Sequence, residues 1–99
     1  MQPMNFGEAL IALRQGRCVA RAGWNGKGMW LVLVRGTENV QLREGSDYHR
    51  AGMREVSINP HIDMMTNQGT MQPGWLASQT DMLADDWQIV DPTRVDVSV

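Results

Sequence analysis

Cysteine, histidine and runs of basic residues are all scarce in this 99-residue chain. The single cysteine, Cys18, excludes an intrachain disulfide, which is typical of proteins in a reducing cytoplasm. No run of Lys or Arg occurs and the net charge is −2. The sequence therefore lacks the cluster of basic residues with which proteins bind the phosphates of DNA or an RNA polymer. The longest apolar run, Met29 to Val34, is too short to cross a bilayer, and we expect no membrane association.

Sequence signatures of metal and catalytic sites are missing as well. His49 and His61 have no Cys or carboxylate at ligand spacing, and the adjacent Asp85 and Asp86 would diverge in regular structure. No G-x-S-x-G elbow marks a nucleophile. The glycine-rich stretch Gly23 to Gly28 fits neither the dinucleotide fingerprint nor the P-loop. We therefore expect no catalytic residue, no metal and no cofactor, and we predict that the protein is not an enzyme.

The N-terminal residues 5–15 have the pattern of an amphipathic helix. Asn5 and Glu8 form a capping-box pair at its start. Gly16 is placed to end the helix in a left-handed conformation. Apolar residues recur at helical spacing and predict one buried face, made of Phe6, Ala9, Leu10 and Leu13.

The rest of the chain predicts mainly strands. Apolar or alternating segments indicate strands at 17–22, 29–34, 61–66, 70–72 and 87–90. The 29–34 strand is apolar on both faces, which suits cover by the core on one side and a partner subunit on the other. Asn67-Gln68-Gly69 reads as a hairpin turn.

The remaining segments complete a small α+β domain over residues 1–99. Ser78 to Asp81 fit a Ser-x-x-Asp capping box that opens a short second helix ending near Ala84. Residues 35–57 are predicted to be a long polar loop with one ill-defined strand, Val40 to Arg43. The tail, 93–99, is either a frayed edge strand or disordered. We expect the N-terminal helix to pack on a mainly antiparallel sheet of four to six strands.

A first candidate binding cluster lies in the glycine-rich stretch. Trp24 offers a flat face on which a purine can stack, and Asn25 offers donors and an acceptor for a base edge or ribose. Lys27 offers a positive charge for a phosphate. Gly26 and Gly28 allow the backbone to approach a ligand closely. The alternative is that Trp24 is a core anchor and the rest an ordinary hairpin turn.

A second candidate cluster opens the short C-terminal helix. Trp75 supplies another stacking face, while Ser78, Gln79, Thr80 and Asp81 supply mixed donors and acceptors. The alternative is a normal helix cap beside a core tryptophan. The two clusters would form a purine clamp if they faced each other, within one protomer or across an interface.

At these two clusters the sequence resembles a family of short phage and bacterial proteins that includes the Thoeris anti-defence proteins of the second type. The motifs that carry the resemblance are Met4 to Leu10, Val19 to Met29 and Pro73 to Trp87. The resemblance extends from about Met4 to Val90 and leaves out the middle loop.

The resemblance implies a binding protein that sequesters an immune signal. Members bind glyco-cyclic ADP-ribose isomers, made by TIR-domain enzymes of Thoeris defence, without cleaving them. Some members also bind cyclic dinucleotides of the CBASS pathway at a separate site. Members form homotetramers with ligand pockets at subunit interfaces. The expected partners are therefore a cyclic ADP-ribose isomer, a cyclic dinucleotide and further copies of this chain, in the cytoplasm of the infected bacterial host.

Ligand roles transfer only to the matching positions. The resemblance implies that Trp24 and Trp75 are walls of the pocket and that Lys27 meets the pyrophosphate. The ribose and base partners that it implies are Asn25, Gln79, Thr80 and Asp81. Two other functions are compatible with the residues: an enzyme that destroys the same signal, and an interaction module whose tryptophans form a partner interface.

Overall fold

A computed structural model describes residues 3–24 and 27–92 of the chain. Asn25, Gly26 and the 93–99 tail, with its predicted edge strand or disorder, lie outside the described residues. The elements in chain order are α1 (Phe6–Arg14), β1 (Cys18–Arg21), a single 3-10 turn (Ala22–Trp24), β2 (Trp30–Val34), β3 (Thr37–Gln41), α2 (Asp47–Arg50), β4 (Glu55–Ile58), β5 (His61–Met65), β6 (Met71–Gln72), α3 (Gln79–Leu83) and β7 (Trp87–Val90). In the described part of the chain, no helix has the length and apolar character needed to span a membrane.

The main sheet has five strands in the order β6-β5-β2-β1-β7, and each pairing is antiparallel. Val19 of β1 lies opposite Leu31 on one side and Ile89 on the other, and Leu31 lies opposite Met64. Opposed residues share a face, so these four side chains point to the same side of the sheet. Helix α1 packs on that side, which we call the inner face. The α+β arrangement predicted from the sequence is confirmed.

Helix α1 begins and ends where its capping residues predict. The Asn5 side chain accepts a hydrogen bond from the Glu8 amide at 2.8 Å, and the Glu8 side chain accepts one from the Asn5 amide at 2.9 Å. Gly16 has a φ of +86°, as expected for a residue that ends a helix. The predicted apolar face is confirmed, since Ala9 and Leu13 are buried while Phe6 and Leu10 pack beside them.

The prediction for residues 35–57 is wrong. The segment is a hairpin, in which β3 and β4 pair antiparallel and α2 lies between them, rather than a loop with one strand at Val40 to Arg43. All five residues of β3 are exposed, so no apolar alternation marks the strand. A register shift between Thr37 and Val40, with a φ of +52° at Asn39, breaks the pattern further. We call residues 36–58 the hairpin arm.

The start of the hairpin arm depends on Gly36, which gives a matched test. A Cβ at Gly36 would lie 2.1 Å from the carbonyl oxygen of Ile58, whereas nothing lies within 4 Å of a Cβ at Gly69. Both glycines have φ near +80°, at +80° and +82°, so Gly36→Ala and Gly69→Ala share a backbone strain of about 1–2 kcal/mol. In urea denaturation we expect Gly36→Ala to lose more free energy of unfolding than Gly69→Ala. Equal losses would contradict the steric argument.

Candidate functional site

The two tryptophans singled out from the sequence both pack against a third, Trp87. Trp87 is fully buried, and its ring centroid lies 5.4 Å from that of Trp24 and 6.2 Å from that of Trp75. The rings meet edge to face, at interplanar angles of 78° and 81°. Trp24 and Trp75 are themselves only partly buried. Each therefore has a structural contact on one side and remaining accessible surface on the other.

A pocket of about 250 Å³ lies beside Trp24, and we call it the loop pocket. Its floor is formed by residues that alternate with core residues along their strands, so it lies on the sheet face opposite α1. These floor residues are Ala20, Trp30, Gln88 and Val90. Trp24, Lys27 and Gly28 line its loop side, and Arg21 also contributes. The pocket thus combines indole surface, a mainly apolar floor and the cationic side chain of Lys27.

The predicted residues of the first cluster are thereby partly located. Trp24, Lys27 and Gly28 share the loop pocket, while Asn25 and Gly26 fall outside the described residues. Lys27 is exposed and is the only lysine in the sequence. An ammonium group beside indole surface suits a ligand that has both a phosphate and a purine.

The second cluster faces elsewhere within the same protomer. Trp75 lines a cleft of about 480 Å³ between α1 and β5, together with Leu10, Arg14 and His61, and we call it the helix cleft. Inside one protomer Trp24 and Trp75 therefore line separate cavities.

The polar residues of the second cluster are divided between capping and exposure. The Ser78 hydroxyl accepts a hydrogen bond from the Asp81 amide at 3.0 Å, and the Asp81 carboxylate accepts one from the Ser78 amide at 3.2 Å. The predicted capping box is therefore confirmed. Gln79 and Thr80 are exposed, which leaves their side chains accessible to a ligand or another subunit.

Arg21 joins the two clusters. Its Nη1 lies 2.9 Å from the Asp81 carboxylate, and its Nε donates to the Asp86 carboxylate at 2.9 Å. The second oxygen of Asp86 accepts the amide N–H of Gly23 at 2.8 Å. These contacts connect the start of the glycine-rich loop to α3, through Asp81, and to the residue before β7, Asp86.

Sequence reasoning missed Asp86, which it considered only as a potential metal ligand. The residue acquires its partners because β1 pairs with β7, which places Arg21 opposite Trp87, the residue after Asp86. The pairing joins residues more than sixty positions apart, and no local motif predicts it. Only a correct prediction of strand order would have placed Asp86 beside Arg21.

The ion pairs shift the pKa values of their members. The hydrogen bond from Arg21 is the main reason that the pKa of Asp86 is lowered. Burial raises the pKa of Asp81, but hydrogen bonds from Arg21 and Ser78 outweigh it and leave that pKa lowered. Hydrogen bonds to Asp86 and then to Asp81 raise the pKa of Arg21. All three groups are therefore charged at neutral pH and act as a fixed electrostatic tie.

No group of three or more His, Cys, Asp or Glu side chains in residues 3–24 and 27–92 is arranged to hold a metal ion. His61 Nε2 lies 3.5 Å from the buried carboxylate of Asp63. Asp63 also accepts the amide N–H of Gly74 at 3.0 Å. Asp63 therefore anchors the segment that leads to Trp75.

Two comparisons with known proteins identify the family of the chain. The family model described as Tad2-like, a Thoeris anti-defense 2-like domain, matches residues 4–90. The chain is also 40% identical over 87 residues to a protein named "Thoeris anti-defense 2" from Bacillus phage SP01. The aligned region covers 88% of this chain and 94% of that relative. The matched range includes α1, all strands of the main sheet and both clusters.

The lowered pKa values predict acid sensitivity. Asp81 and Asp86 bind fewer protons in the folded protein than in the unfolded chain, because folding lowers both pKa values. The stability that they contribute is therefore complete above their ordinary pKa of 3.8, and it is lost as the pH falls through their lowered pKa values in the folded protein. In urea denaturation series below about pH 5, we expect the free energy of unfolding of Arg21→Gln to fall less steeply with decreasing pH than that of the wild type, because the two carboxylates lack their cationic partner. Arg17→Gln, at an exposed arginine, should keep the wild-type slope. The same slope in Arg21→Gln would contradict the assignment.

Proposed function

This chain belongs to the Thoeris anti-defense 2-like family, and from that premise we propose that it binds and sequesters a glyco-cyclic ADP-ribose signal without cleaving it. Family membership supports phage anti-defence as the broader function. Sequestration would keep the signal from its effector in the cytoplasm of the infected bacterium. The observation that carries the proposal is the loop pocket, where Trp24 and the sole lysine of the chain lie together.

The chemistry of the loop pocket supports a nucleotide ligand. Trp24 has indole surface left over from its contact with Trp87, and base stacking on an aromatic side chain contributes about 1–3 kcal/mol. Lys27 places positive charge at the loop pocket, and Arg21 also lines it. Because Arg21 is already paired with two carboxylates, Lys27 is the better candidate for the pyrophosphate.

The affinity required of such a protein supports an oligomer. Effective sequestration of a sub-micromolar signal needs a Kd of about 10 nM, or about −11 kcal/mol. The loop pocket, at about 250 Å³, is smaller than the roughly 300–1,000 Å³ of typical small-molecule sites. We therefore propose a homotetramer in which a second copy of this chain completes each pocket.

The surface of the protomer supports the same assembly. On the sheet face opposite α1, Trp30, Val32 and Val90 are only partly buried, although they are apolar. Leu76 and Leu83 are 90% and 78% exposed beside the second cluster. Burial of such surface would stabilise a small domain and would bring Trp75, Gln79 and Thr80 of one copy toward the loop pocket of another.

A cyclic dinucleotide of the CBASS pathway is the second ligand class that we propose. The helix cleft, at about 480 Å³, is a separate cavity that combines Trp75 with the cationic side chain of Arg14. Calorimetric titration of a cyclic dinucleotide into protein saturated with the cyclic ADP-ribose isomer tests separate sites. If the binding heat of the cyclic dinucleotide is the same as with ligand-free protein, the two sites are separate. Loss of that binding heat would indicate a shared pocket.

The first test is calorimetric titration with the 1″–3′ cyclic ADP-ribose isomer, followed by heat denaturation and chromatography of the ligand. We expect tight binding, intact ligand after denaturation and a light-scattering mass near four times the 11.1 kDa chain. Progressive loss of ligand would instead indicate an enzyme. No heat with this isomer or with a cyclic dinucleotide would favour an interaction module.

Lys27→Gln tests the predicted phosphate contact. Loss of a charge-assisted hydrogen bond, about 1.5–3 kcal/mol, should weaken binding of the 1″–3′ isomer by at least tenfold, with little change in stability because Lys27 is exposed. Arg17→Gln removes an equivalent exposed charge and should bind like the wild type. Because Lys27 is the only lysine, its acylation can be followed by mass spectrometry, and bound ligand should protect it. Unchanged affinity together with unprotected Lys27 would exclude the contact.

Trp24→Ala separates a ligand wall from a core anchor. We expect binding of the 1″–3′ isomer to weaken by about tenfold or more through loss of stacking, with the oligomer intact. Since Trp24 also packs on Trp87, the melting temperature must be measured in parallel, and Trp24→Phe serves as a control that keeps an aromatic ring there. The core-anchor interpretation would be favoured if Trp24→Ala no longer folds while Trp24→Phe folds and binds with wild-type affinity.

A further inference from the structure

Asp86 contacts three consecutive residues at the entrance to the glycine-rich loop. Its carboxylate accepts the Nε–H of Arg21 at 2.9 Å and the amide N–H of Gly23 at 2.8 Å. Its main-chain carbonyl accepts the amide N–H of Ala22 at 3.0 Å. One residue thus satisfies three of the donors at the point where β1 turns into the loop.

These contacts determine where the next side chain goes. Ala22–Trp24 form one 3-10 turn, and Trp24 directly follows the residue whose amide Asp86 holds. The Trp24 ring then packs against Trp87, the residue directly after Asp86. The backbone and the ring of this short turn are therefore held by two adjacent residues of the chain.

The absence of a side chain at position 23 is part of the same arrangement. A Cβ on Gly23 would lie 2.9 Å from the Asp86 carboxylate oxygen and 3.5 Å from an Arg21 guanidinium nitrogen. Gly23 does not have a positive φ, so the backbone itself would accept alanine. The space that a methyl group would need is occupied by the carboxylate.

We propose that Asp86 is a positioning residue for the ligand pocket, and that it holds the turn carrying Trp24 in its binding geometry before any ligand arrives. This inference rests on the proposed function for the identity of the ligand. A wall that is already ordered spares the ligand the cost of ordering it. If only a fraction of molecules had the competent loop, the apparent Kd would rise in inverse proportion to that fraction.

Two variants test the role by different routes. Asp86→Asn removes the charge with little change in shape, and Gly23→Ala pushes the carboxylate away with no change in charge. Asp85→Asn is the matched control, because Asp85 is the neighbouring carboxylate and is exposed. For the 1″–3′ cyclic ADP-ribose isomer we expect both test variants to raise Kd about tenfold through a slower association rate, while the control stays within about twofold.

A second readout needs no ligand. Amide hydrogen exchange in the peptide spanning residues 22–28 should be faster in Asp86→Asn and Gly23→Ala than in the wild type, with unchanged exchange in β2 and β5. Unchanged exchange in 22–28, or faster exchange throughout the sheet, would overturn the positioning role. Wild-type protein that binds no isomer would refute the proposed function, while this exchange pattern would still decide the role of Asp86. If Asp86→Asn does not fold, Gly23→Ala alone decides the outcome.

Discussion

The burial of Trp87 is the interaction on which the rest of the structure depends. Its indole is completely enclosed, and three aromatic rings pack on it, those of Phe6, Trp24 and Trp75. Its Nε1 donates to the carbonyl oxygen of Asp81 at 3.0 Å, and its backbone exchanges both hydrogen bonds with Met4. One side chain therefore connects α1, the glycine-rich loop, the α3 segment and the last strand. In so small a domain, few other residues can contribute as much buried area.

This sharing would allow the two proposed ligand walls to be part of the core as well. Trp24 and Trp75 each place an edge or a face against Trp87 and leave other surface accessible. The two interpretations offered by the sequence, core anchor and stacking surface, are therefore compatible for both residues. Packing on a rigid indole would fix the orientation of each wall before the proposed ligand arrives. Arg21 adds the electrostatic part of the same connection through Asp81 and Asp86.

The sequence predicted what depends on neighbours along the chain. The caps of α1 and α3 are side chains that bond to amides three positions away, so their motifs are visible locally. Strand β7 is rich in strong β-formers and lies at the predicted 87–90. The hairpin arm escaped prediction because β3 has no buried face to impose a pattern. Asp86 escaped because its role arises only after strands distant in sequence have paired.

The order of the strands has a consequence for folding during synthesis on the ribosome. β7 pairs with β1, and Met4 bonds to Trp87, so segments from the two ends of the described chain lie side by side. Helix α1 and β1 are synthesised before β7, so they have no Trp87 to pack against until residue 87 has been added to the chain. Such long-range closure is typical of folds that assemble late and slowly. During translation the nascent chain therefore exposes the apolar face of α1, which makes it prone to aggregation until β7 has paired with β1.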